Sequence, residues 1–401
     1  MLLKGLKVVE LATWIAAPGC AMLMAEWGAD VIKVESAAGD AVRMYFLDTP
    51  ESPGNPVFSM ENRGKRGIVL DTGSAAGREA LIALLKTADV FITNVRPAAL
   101  ARAKLDYDSL AAEAPRLIYA SVSGYGLEGE GADIPAFDLT GFWNRSGVSA
   151  ATNPPGPEPL VCRPGFGDHV TALATLSGVL AAVHERQTTG RGRLVEASLI
   201  RTGVYALGWD WSAQLRYGGT ITAQLRDDRP VAIAGYFRTI EGRWVYIGPR
   251  GPGCFLGLMT AIGRPELATD PRYTPPIADL AVVRELRGIV DAAFARLTLE
   301  EAGELLTRAD LIWAPQASLD EVFGDPQAWA AGCFIESLDS WGGSFLAPAA
   351  PIRFPGLDAE TPRAAPRIGQ HTRQILAEAG YGPEAIEAML AAGEAVQGEV
   401  P

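Results

Sequence analysis

The 401-residue sequence is poor in histidine and cysteine, and its acidic side chains outnumber its basic ones. Three histidines, and four cysteines without a Cys-x-x-Cys pair, disfavour a metal centre and a disulfide framework and are typical of a cytoplasmic protein. The formal net charge of −12 disfavours a nucleic-acid partner. The first residues, MLLKGLKVVELATW, include Lys4, Lys7 and Glu10, so we expect neither a signal peptide nor a membrane partner.

Strand and helix patterns alternate in the first part of the chain. Short apolar runs predict strands, and leucines at helical spacing predict helices between them. This alternation predicts an α/β fold with a doubly wound, Rossmann-like parallel sheet, whose ligands bind beyond the carboxyl ends of the strands. The predicted strands cover 7–11, 30–35, 67–71, 89–94 and 117–122, and the predicted helices cover 17–29 and 75–87.

The pattern changes beyond about residue 200. A predicted hairpin turns at Glu241-Gly242, and helix patterns follow it, which together indicate a smaller, inserted α+β domain. Predicted elements here are the hairpin at 236–248 and helices at 255–262, 282–295, 299–308, 372–379 and 383–392. The predicted division is a large domain from 1–200 and 330–401, a small domain at 225–315, and connectors at 201–224 and 316–329, with connector-like sequence at 224–230 and 313–316.

Asp168 stands between a glycine turn, Gly165 to Gly167, and an apolar helix pattern. An aspartate just before a helix most often caps it by accepting a backbone hydrogen bond. The same position also suits a nucleophile, because a buried helix can hold the backbone while the carboxylate faces a cleft. Capping would make the carboxylate less basic, but it would still serve against an activated thioester. Both interpretations stay open.

Three glycines, Gly124, Gly126 and Gly129, form a G-x-G-x-x-G pattern after a predicted strand. A dinucleotide site also needs a helix after the third glycine, and the following residues, EGADIPAFD, do not predict one. We therefore expect a glycine-rich loop near a substrate. The glycine-rich loop 248–253 is either a mobile lid or a structural turn.

Basic residues cluster near the ends of two predicted strands, at 62–66 and at Arg96, Arg102 and Lys104. They are candidates for phosphate recognition, and a solvated basic rim is the alternative. Aromatic side chains are candidates for an acyl pocket, although most aromatic residues are simply core. These are Trp14, Phe142, Trp143, Trp209 and Trp211.

Several segments, in their order along the chain, resemble the class III CoA-transferases, also called the CaiB/BaiF group. The resemblance spans essentially the whole chain. The matching segments are LKGLKVVELATWIAAPGCAMLMAEWGADVIKVES, NRGKRGIVLD, ADVFITNVRP, PRLIYASVSGYG, GDHVTALATLSGVLAAVHERQTTGRGRLVEASL, GRPELATDPRY, WAPQASLDEVFGDPQ and IGQHT.

The resemblance implies a large domain built from both ends of the chain, with two chains interlocked as a homodimer. It implies CoA transfer from an acyl-CoA to a carboxylic acid in a ping-pong reaction. Asp168 matches the family's aspartate, which forms an acyl anhydride and then a CoA thioester.

The resemblance also assigns binding residues. Expected CoA contacts are Ala16, Leu70, Asn94, Val95, Arg96, Arg102, Ser123 and Tyr125. Expected substrate and loop residues are Ala17, Phe137, Trp143, Arg145, Gly248, Gly251 and Gly253. Ser123 replaces a lysine of formyl-CoA transferase, and segment 142–147 resembles members that act on aryl acids such as phenyllactate, with Arg145 as the candidate partner of the acceptor carboxylate.

Two alternatives share this fold. An α-methylacyl-CoA racemase would need a histidine where this chain has Phe137 and a glutamate near Gly251. Since proton exchange requires two bases on opposite faces of the substrate, neither residue suits that reaction. The other alternative is a CoA-binding protein without catalytic activity.

Overall fold

The computed structural model describes residues 1–45, 55–219, 223–249, 251, 253–274, 276–356 and 363–398. Contacts within the chain define two compact units. The large unit comprises Met1–Thr152, Glu158–Ile221 and Ala330–Pro401. The small unit comprises Asn153–Pro157 and Thr222–Trp329.

The described strands form three sheets. In chain order they are β1 Lys7–Leu11, β2 Asp30–Glu35, β3 Arg66–Leu70, β4 Val90–Thr93, β5 Ile118–Ser123, β6 Leu194–Ser198, β7 Gly235–Arg238, β8 Trp244–Gly248, β9 Ile312–Pro315, β10 Phe334–Leu338, β11 Ser344–Pro348 and β12 Ala395–Val396. Each of the five strands predicted in the first part of the chain is confirmed to within one residue at its ends.

The large unit contains a seven-stranded sheet in the order β12-β3-β2-β1-β4-β5-β6. All neighbours are parallel except β12, which pairs antiparallel with β3. The chain builds β1 to β3 on one side and β4 to β6 on the other, so the strand order reverses between β1 and β4. The predicted doubly wound α/β fold is confirmed, and a crevice is expected at the carboxyl ends of β1 and β4.

The α-helices lie on both faces of this sheet and in the small unit. In chain order they are α1 Ala16–Glu26, α2 Pro56–Asn62, α3 Ala75–Lys86, α4 Pro97–Ala103, α5 Tyr107–Glu113, α6 Val148–Thr152, α7 Phe166–Thr189, α8 Leu199–Ala206, α9 Gly208–Tyr217, α10 Gly253–Ala261, α11 Leu280–Phe294, α12 Leu299–Arg308, α13 Leu319–Gly324, α14 Pro326–Ala330, α15 Thr372–Glu378 and α16 Pro383–Ala391. Leu139–Arg145 form a π-helix.

Helices α1 and α7 pack together on one face of the sheet. Small residues at their contact, including Gly19, Cys20 and Ala172, let the two backbones approach closely. Among the described residues, helix α7 is the one helix that is long and apolar enough to cross a membrane; it packs against α1, β5 and β6, and 39% of its most apolar stretch is buried. The opposite face is covered by α3, α15 and α16.

The small unit contains the antiparallel sheet β7-β8-β9, with α10, α11 and α12 around an apolar core. The predicted hairpin is confirmed, and Gly242 in its turn has φ 78°. The expectation of connector sequence at 313–316 is wrong, because residues 313–315 belong to β9 and pair with β8. Residues 201–224 and 316–329, also expected to be connectors, contain helices α8 and α9 and helices α13 and α14.

Candidate active site

Asp168 lies in the first turn of α7. The helix begins after Gly165, whose φ of 85° favours glycine, and Gly165 occupies the N-cap position without a side-chain cap. Asp168 is the third helical residue, and its carboxylate accepts no hydrogen bond from the residues that the structure describes. The helix-cap interpretation of Asp168 is therefore wrong, and its carboxylate is not occupied by a capping hydrogen bond.

A second carboxyl group, that of Asp138, lies beside this turn. Asp138 is buried, and neither carboxylate oxygen has a hydrogen-bond partner of standard geometry within the described part of the chain. A Cβ atom on Gly167 would overlap an Asp138 oxygen and the Phe142 ring, so only glycine fits between them. Burial raises the pKa of Asp138, although the backbone amides of Gly165 and Gly167 oppose this change.

The surroundings raise the pKa of Asp168 to about 7. Burial is the largest cause, and the negative charges of Asp138 and Glu61 act in the same direction. The charge of His169 opposes them. A carboxylate with such a pKa is more basic than an ordinary aspartate and is still partly ionised at neutral pH, which suits a nucleophile.

His169, the next residue on α7, pairs with a buried glutamate. Its Nε2 atom lies 2.8 Å from Oε1 of Glu61, which is on α2 and fully buried. The second oxygen of Glu61, Oε2, has no described hydrogen-bond partner. The hydrogen bond to Glu61 is the main reason why the pKa of His169 is raised.

The loop between β1 and α1 runs past the same turn. Asn94, after β4, accepts a hydrogen bond from Thr13 N and donates one to Thr13 O, at 3.1 and 2.7 Å. Trp14 has φ 70°, an uncommon value for a bulky residue, and its amide donates to Asp40. The Ile15 side chain lies 3.4 Å from the point that a Cβ atom would occupy if one were added to Gly165. These contacts hold the loop next to the start of α7.

A buried ion network supports this loop. Lys33 binds Glu10 and Asp40 at 2.8 and 2.9 Å, and Lys65 binds Glu10 at 2.5 Å. Burial opposes the charge of Lys33, but the carboxylates outweigh it and raise its pKa. Burial lowers the pKa of Lys65 to about 8. The side chains of the network are all buried. The network therefore fixes the position of Asp40, which accepts the hydrogen bond from the Trp14 amide.

The expectation that residues 62–66 recognise phosphate is wrong. Arg63 is buried against Glu26, Lys65 lies in the ion network, and Arg66 pairs with Asp30 and Glu378. The cluster also precedes β3, at the amino end of that strand. These cations therefore serve the fold.

Comparisons with known proteins show the family of this chain. The sequence model of CoA-transferase family III matches residues 3–372. The chain belongs to CoA-transferase family III. An (R)-2-hydroxy-4-methylpentanoate CoA-transferase from Clostridioides difficile is 35% identical over 392 residues, which are 96% of this chain and 97% of that protein. A cinnamoyl-CoA:phenyllactate CoA-transferase from Clostridium sporogenes is 32% identical over 395 residues, 96% of this chain and 95% of that protein.

A solved CaiB/BaiF family protein from Brucella suis superposes on this family III CoA-transferase with a TM-score of 0.81. The two share 30% identity, and the match covers 94% of this chain and 99% of that one. The resemblance inferred from the sequence motifs is thereby confirmed, and so is the assignment of the chain as a CoA-transferase.

The residues expected to contact CoA occupy different environments in the transferase. Arg96 and Arg102 are exposed after β4, with Val95 half-buried beside them. Ser123 accepts a hydrogen bond from Gly126 and shapes the turn after β5. Leu70 is 1% exposed and lies in the core, so its side chain has no surface for a ligand in this structure.

Aromatic side chains gather around the Asp168 turn of the transferase. Trp14 packs edge-on against Phe137, at 4.9 Å between ring centroids, and Phe137 precedes Asp138. Trp143 on the π-helix contacts Phe166 at 5.5 Å. Phe142 is buried in the core and does not line a pocket, which agrees with the alternative that aromatic residues such as this one are simply core.

The remaining predicted substrate residues fall in three places. The guanidinium of Arg145 lies 4.2 Å from the ring centroid of Tyr125. Ala16 and Ala17 are buried at the start of α1. Gly248, Gly251 and Gly253 belong to the small unit, and Arg250 and Pro252 of the same loop lie outside the described residues.

Sequence reasoning missed Asp138 and the Glu61–His169 pair. Asp138 carries a local signal, since a carboxylate directly follows Phe137, a position already singled out. Glu61 carries none, because it lies 108 residues from His169 on a helix that the sequence pattern did not predict.

Proposed function

We propose that this enzyme moves CoA from an acyl-CoA donor to a carboxylic acid by a ping-pong mechanism in which Asp168 is the nucleophile. The observation that carries the proposal is the Asp168 carboxylate itself. The chain belongs to CoA-transferase family III, and its Asp168 carboxylate accepts no hydrogen bond from the described residues. The surroundings of this carboxylate raise its pKa to about 7.

The proposed first half-reaction has two steps. A carboxylate oxygen of Asp168 attacks the thioester carbonyl, the carbon–sulfur bond breaks, and CoA leaves as a thiolate from a mixed acyl-aspartyl anhydride. The thiolate then attacks the Asp168 carbonyl of that anhydride. The donor acid leaves as its carboxylate, and an aspartyl-CoA thioester remains.

The second half-reaction repeats these steps with the acceptor. The acceptor carboxylate attacks the aspartyl-CoA carbonyl, which releases CoA thiolate and forms a new anhydride. The thiolate attacks the acceptor carbonyl, so that acyl-CoA leaves and the Asp168 carboxylate is restored. Each intermediate is an activated anhydride or thioester, so the activation of the donor thioester is passed on to the acceptor. Asp168 must be ionised at the start of each cycle.

We propose a 2-hydroxy acid with an apolar or aryl side chain as the acceptor class. The two relatives described above act, by their names, on 2-hydroxy-4-methylpentanoate and phenyllactate. Trp14, Phe137 and Phe166 supply apolar surface near Asp168, and Phe137 and Phe166 are each more than half exposed. Arg145 is the candidate partner of the acceptor carboxylate, and a panel of carboxylic acids tests the class.

A homodimer is part of the proposal. Helix α9 has no buried residue in the single chain, although it carries Trp209, Leu215 and Tyr217, each more than three-quarters exposed. We infer that these exposed apolar side chains form part of the dimer interface. An interlocked pair would not exchange subunits on dilution, and a monomeric mass by light scattering at micromolar concentration would contradict it. A cytoplasmic location, without nucleic-acid or membrane partners, stays a prediction.

The test of the transfer reaction is an assay with several acyl-CoA donors and 2-hydroxy acids, run on the wild type and on Asp168→Asn. We expect CoA transfer by the wild type and none by the variant, with both proteins folded. Full activity of Asp168→Asn would overturn the mechanism, and binding of CoA without any transfer would favour a scaffold protein.

A further inference from the structure

Glu61 and His169 form a pair that the proposed chemistry does not yet use. Glu61 is fully buried, whereas 44% of the His169 side chain is exposed, so the pair connects the protein interior to the surface beside Asp168. The two groups come from different helices, α2 and α7, and lie 2.8 Å apart at Nε2 and Oε1. This geometry fixes the orientation of the imidazole ring.

Burying Glu61 is costly, because its Oε2 atom has no hydrogen-bond partner among the described residues. The position is also sterically specific. A Cβ atom on Gly19 of α1 would lie 2.8 Å from Oε2 of Glu61 and 3.3 Å from the Cβ of Ala172. The glycine at position 19 of α1 therefore leaves the space that the Glu61 carboxylate occupies. This carboxylate is a buried negative charge, which a purely apolar core would not contain.

Without the charge of His169, the charged groups that act on Asp168 would all be negative. Asp138, before the π-helix, and Glu61, on α2, both act on Asp168 with negative charge. The neighbouring loop presents Trp14 and Ile15, which carry no charge. Within the described part of the chain, His169 is the one cation that acts on Asp168.

We propose that Glu61 holds His169 as an imidazolium beside Asp168, and that this positive charge favours the ionised, nucleophilic form of the Asp168 carboxyl group. The inference rests on the proposed nucleophilic role of Asp168. His169 acts through Asp168 and is a positioning residue, so it takes no proton from the substrate.

The first measurement concerns the charge of His169 itself. The chain has three histidines, so the imidazole signals in an NMR titration can be assigned with His→Gln variants. We expect the pKa of His169 to lie above the ordinary histidine value, because of its hydrogen bond to Glu61, and to fall in Glu61→Gln. An unchanged His169 pKa in that variant would overturn the role of Glu61.

The second measurement is the pH profile of a single half-reaction. Enzyme is mixed with acyl-CoA and hydroxylamine, and modified Asp168 is quantified by mass spectrometry from pH 5 to 9. In His169→Gln we expect the acid limb to move to higher pH by about one unit, because removal of a nearby cation raises a carboxyl pKa. His184→Gln, on the same helix, should leave the limb in place.

The possible outcomes separate this inference from the proposed function. If the wild type traps modified Asp168 and the limb moves only in His169→Gln, the inference is supported. If the wild type traps it and both variants keep the wild-type limb, the charge role of His169 is wrong while the nucleophile stands. If the wild type gives no modified Asp168 at any pH, the proposed function fails, and the inference fails with it.

Discussion

The carboxylate of Asp138 lies against the backbone of Gly167, one residue before Asp168. An Asp138 oxygen occupies the space that a Cβ atom at position 167 would fill, so the glycine brings the two acidic groups into one poorly solvated region. In such a region the negative charge of Asp138 raises the pKa of the Asp168 carboxyl group. Asp168 is thereby more basic than an isolated aspartate.

Asp138→Asn should remove part of this effect. The pKa of Asp168 should fall, so the acid limb of kcat/KM for the acyl-CoA should move to lower pH by about one unit. The plateau at high pH should also fall, because a less basic carboxylate is a weaker nucleophile. Asp108→Asn, on helix α5, serves as the control, and the same profile in wild type and Asp138→Asn would contradict the coupling.

Asp168→Asn should stabilise the folded protein at neutral and alkaline pH. The native pKa of about 7 lies above the ordinary value of 3.8, so ionisation favours the unfolded state as pH rises between these values. The variant, which does not ionise, should gain stability relative to wild type from about pH 4 to about pH 7 and keep that gain above. Thermal unfolding at pH 4.5 and pH 8 tests this, and an equal difference at both would contradict it.

Gly19→Ala should destabilise the enzyme, although alanine ordinarily stabilises a helix interior. The added methyl group would meet Glu61 Oε2 at 2.8 Å, and overpacking of this kind costs about 1–3 kcal/mol. Gly288→Ala on α11 is the matched control, since a Cβ there meets no described atom within 4 Å. The melting temperature should fall in the first variant and rise slightly in the second. A rise in both would show that Glu61 is not held as described.

Turnover should not exchange the α-proton of the substrate. By the family resemblance, Phe137 is expected at the position of the racemase histidine, and a phenylalanine side chain cannot accept a proton. A 2-methylacyl-CoA incubated with enzyme in D₂O should therefore keep its α-hydrogen, as followed by NMR. Rapid incorporation of deuterium without an acceptor acid would move the assignment to the racemases, and its loss in His169→Ala would identify the base.

The sheet could be predicted from the sequence because its strands are short, mainly apolar runs of a kind that a parallel sheet buries on both faces, although β1 and β2 also contain the buried charged residues Glu10 and Lys33. Strand β9 was not predicted, because Ile312–Pro315 contains a proline and lies at the edge of its sheet. The prediction of phosphate recognition by the basic residues at 62–66 was wrong because their partners could not be identified from the sequence. Their charges are satisfied by Glu10, Glu26 and Asp30, which are distant in sequence and become partners only in the fold.

Within the candidate site, the position of Asp168 at the start of α7 could be predicted, because its glycine turn and helix are local. The groups that set its ionisation could not be predicted, since Asp138 and Glu61 are separated from it by 30 and 107 in residue number. Their effect depends on burial, which the sequence alone does not specify. Electrostatic tuning of this kind is a property of the packed structure.

The most direct test of the account is the chemical state of Asp168 during turnover. Enzyme incubated with an acyl-CoA donor and hydroxylamine, without an acceptor acid, should give a hydroxamate on Asp168 that peptide mass spectrometry locates. The account predicts this modification in the wild type, its dependence on the donor, and its absence from Asp168→Asn. A wild-type enzyme that transfers CoA while Asp168 stays unmodified, or that is modified at another residue, would contradict it.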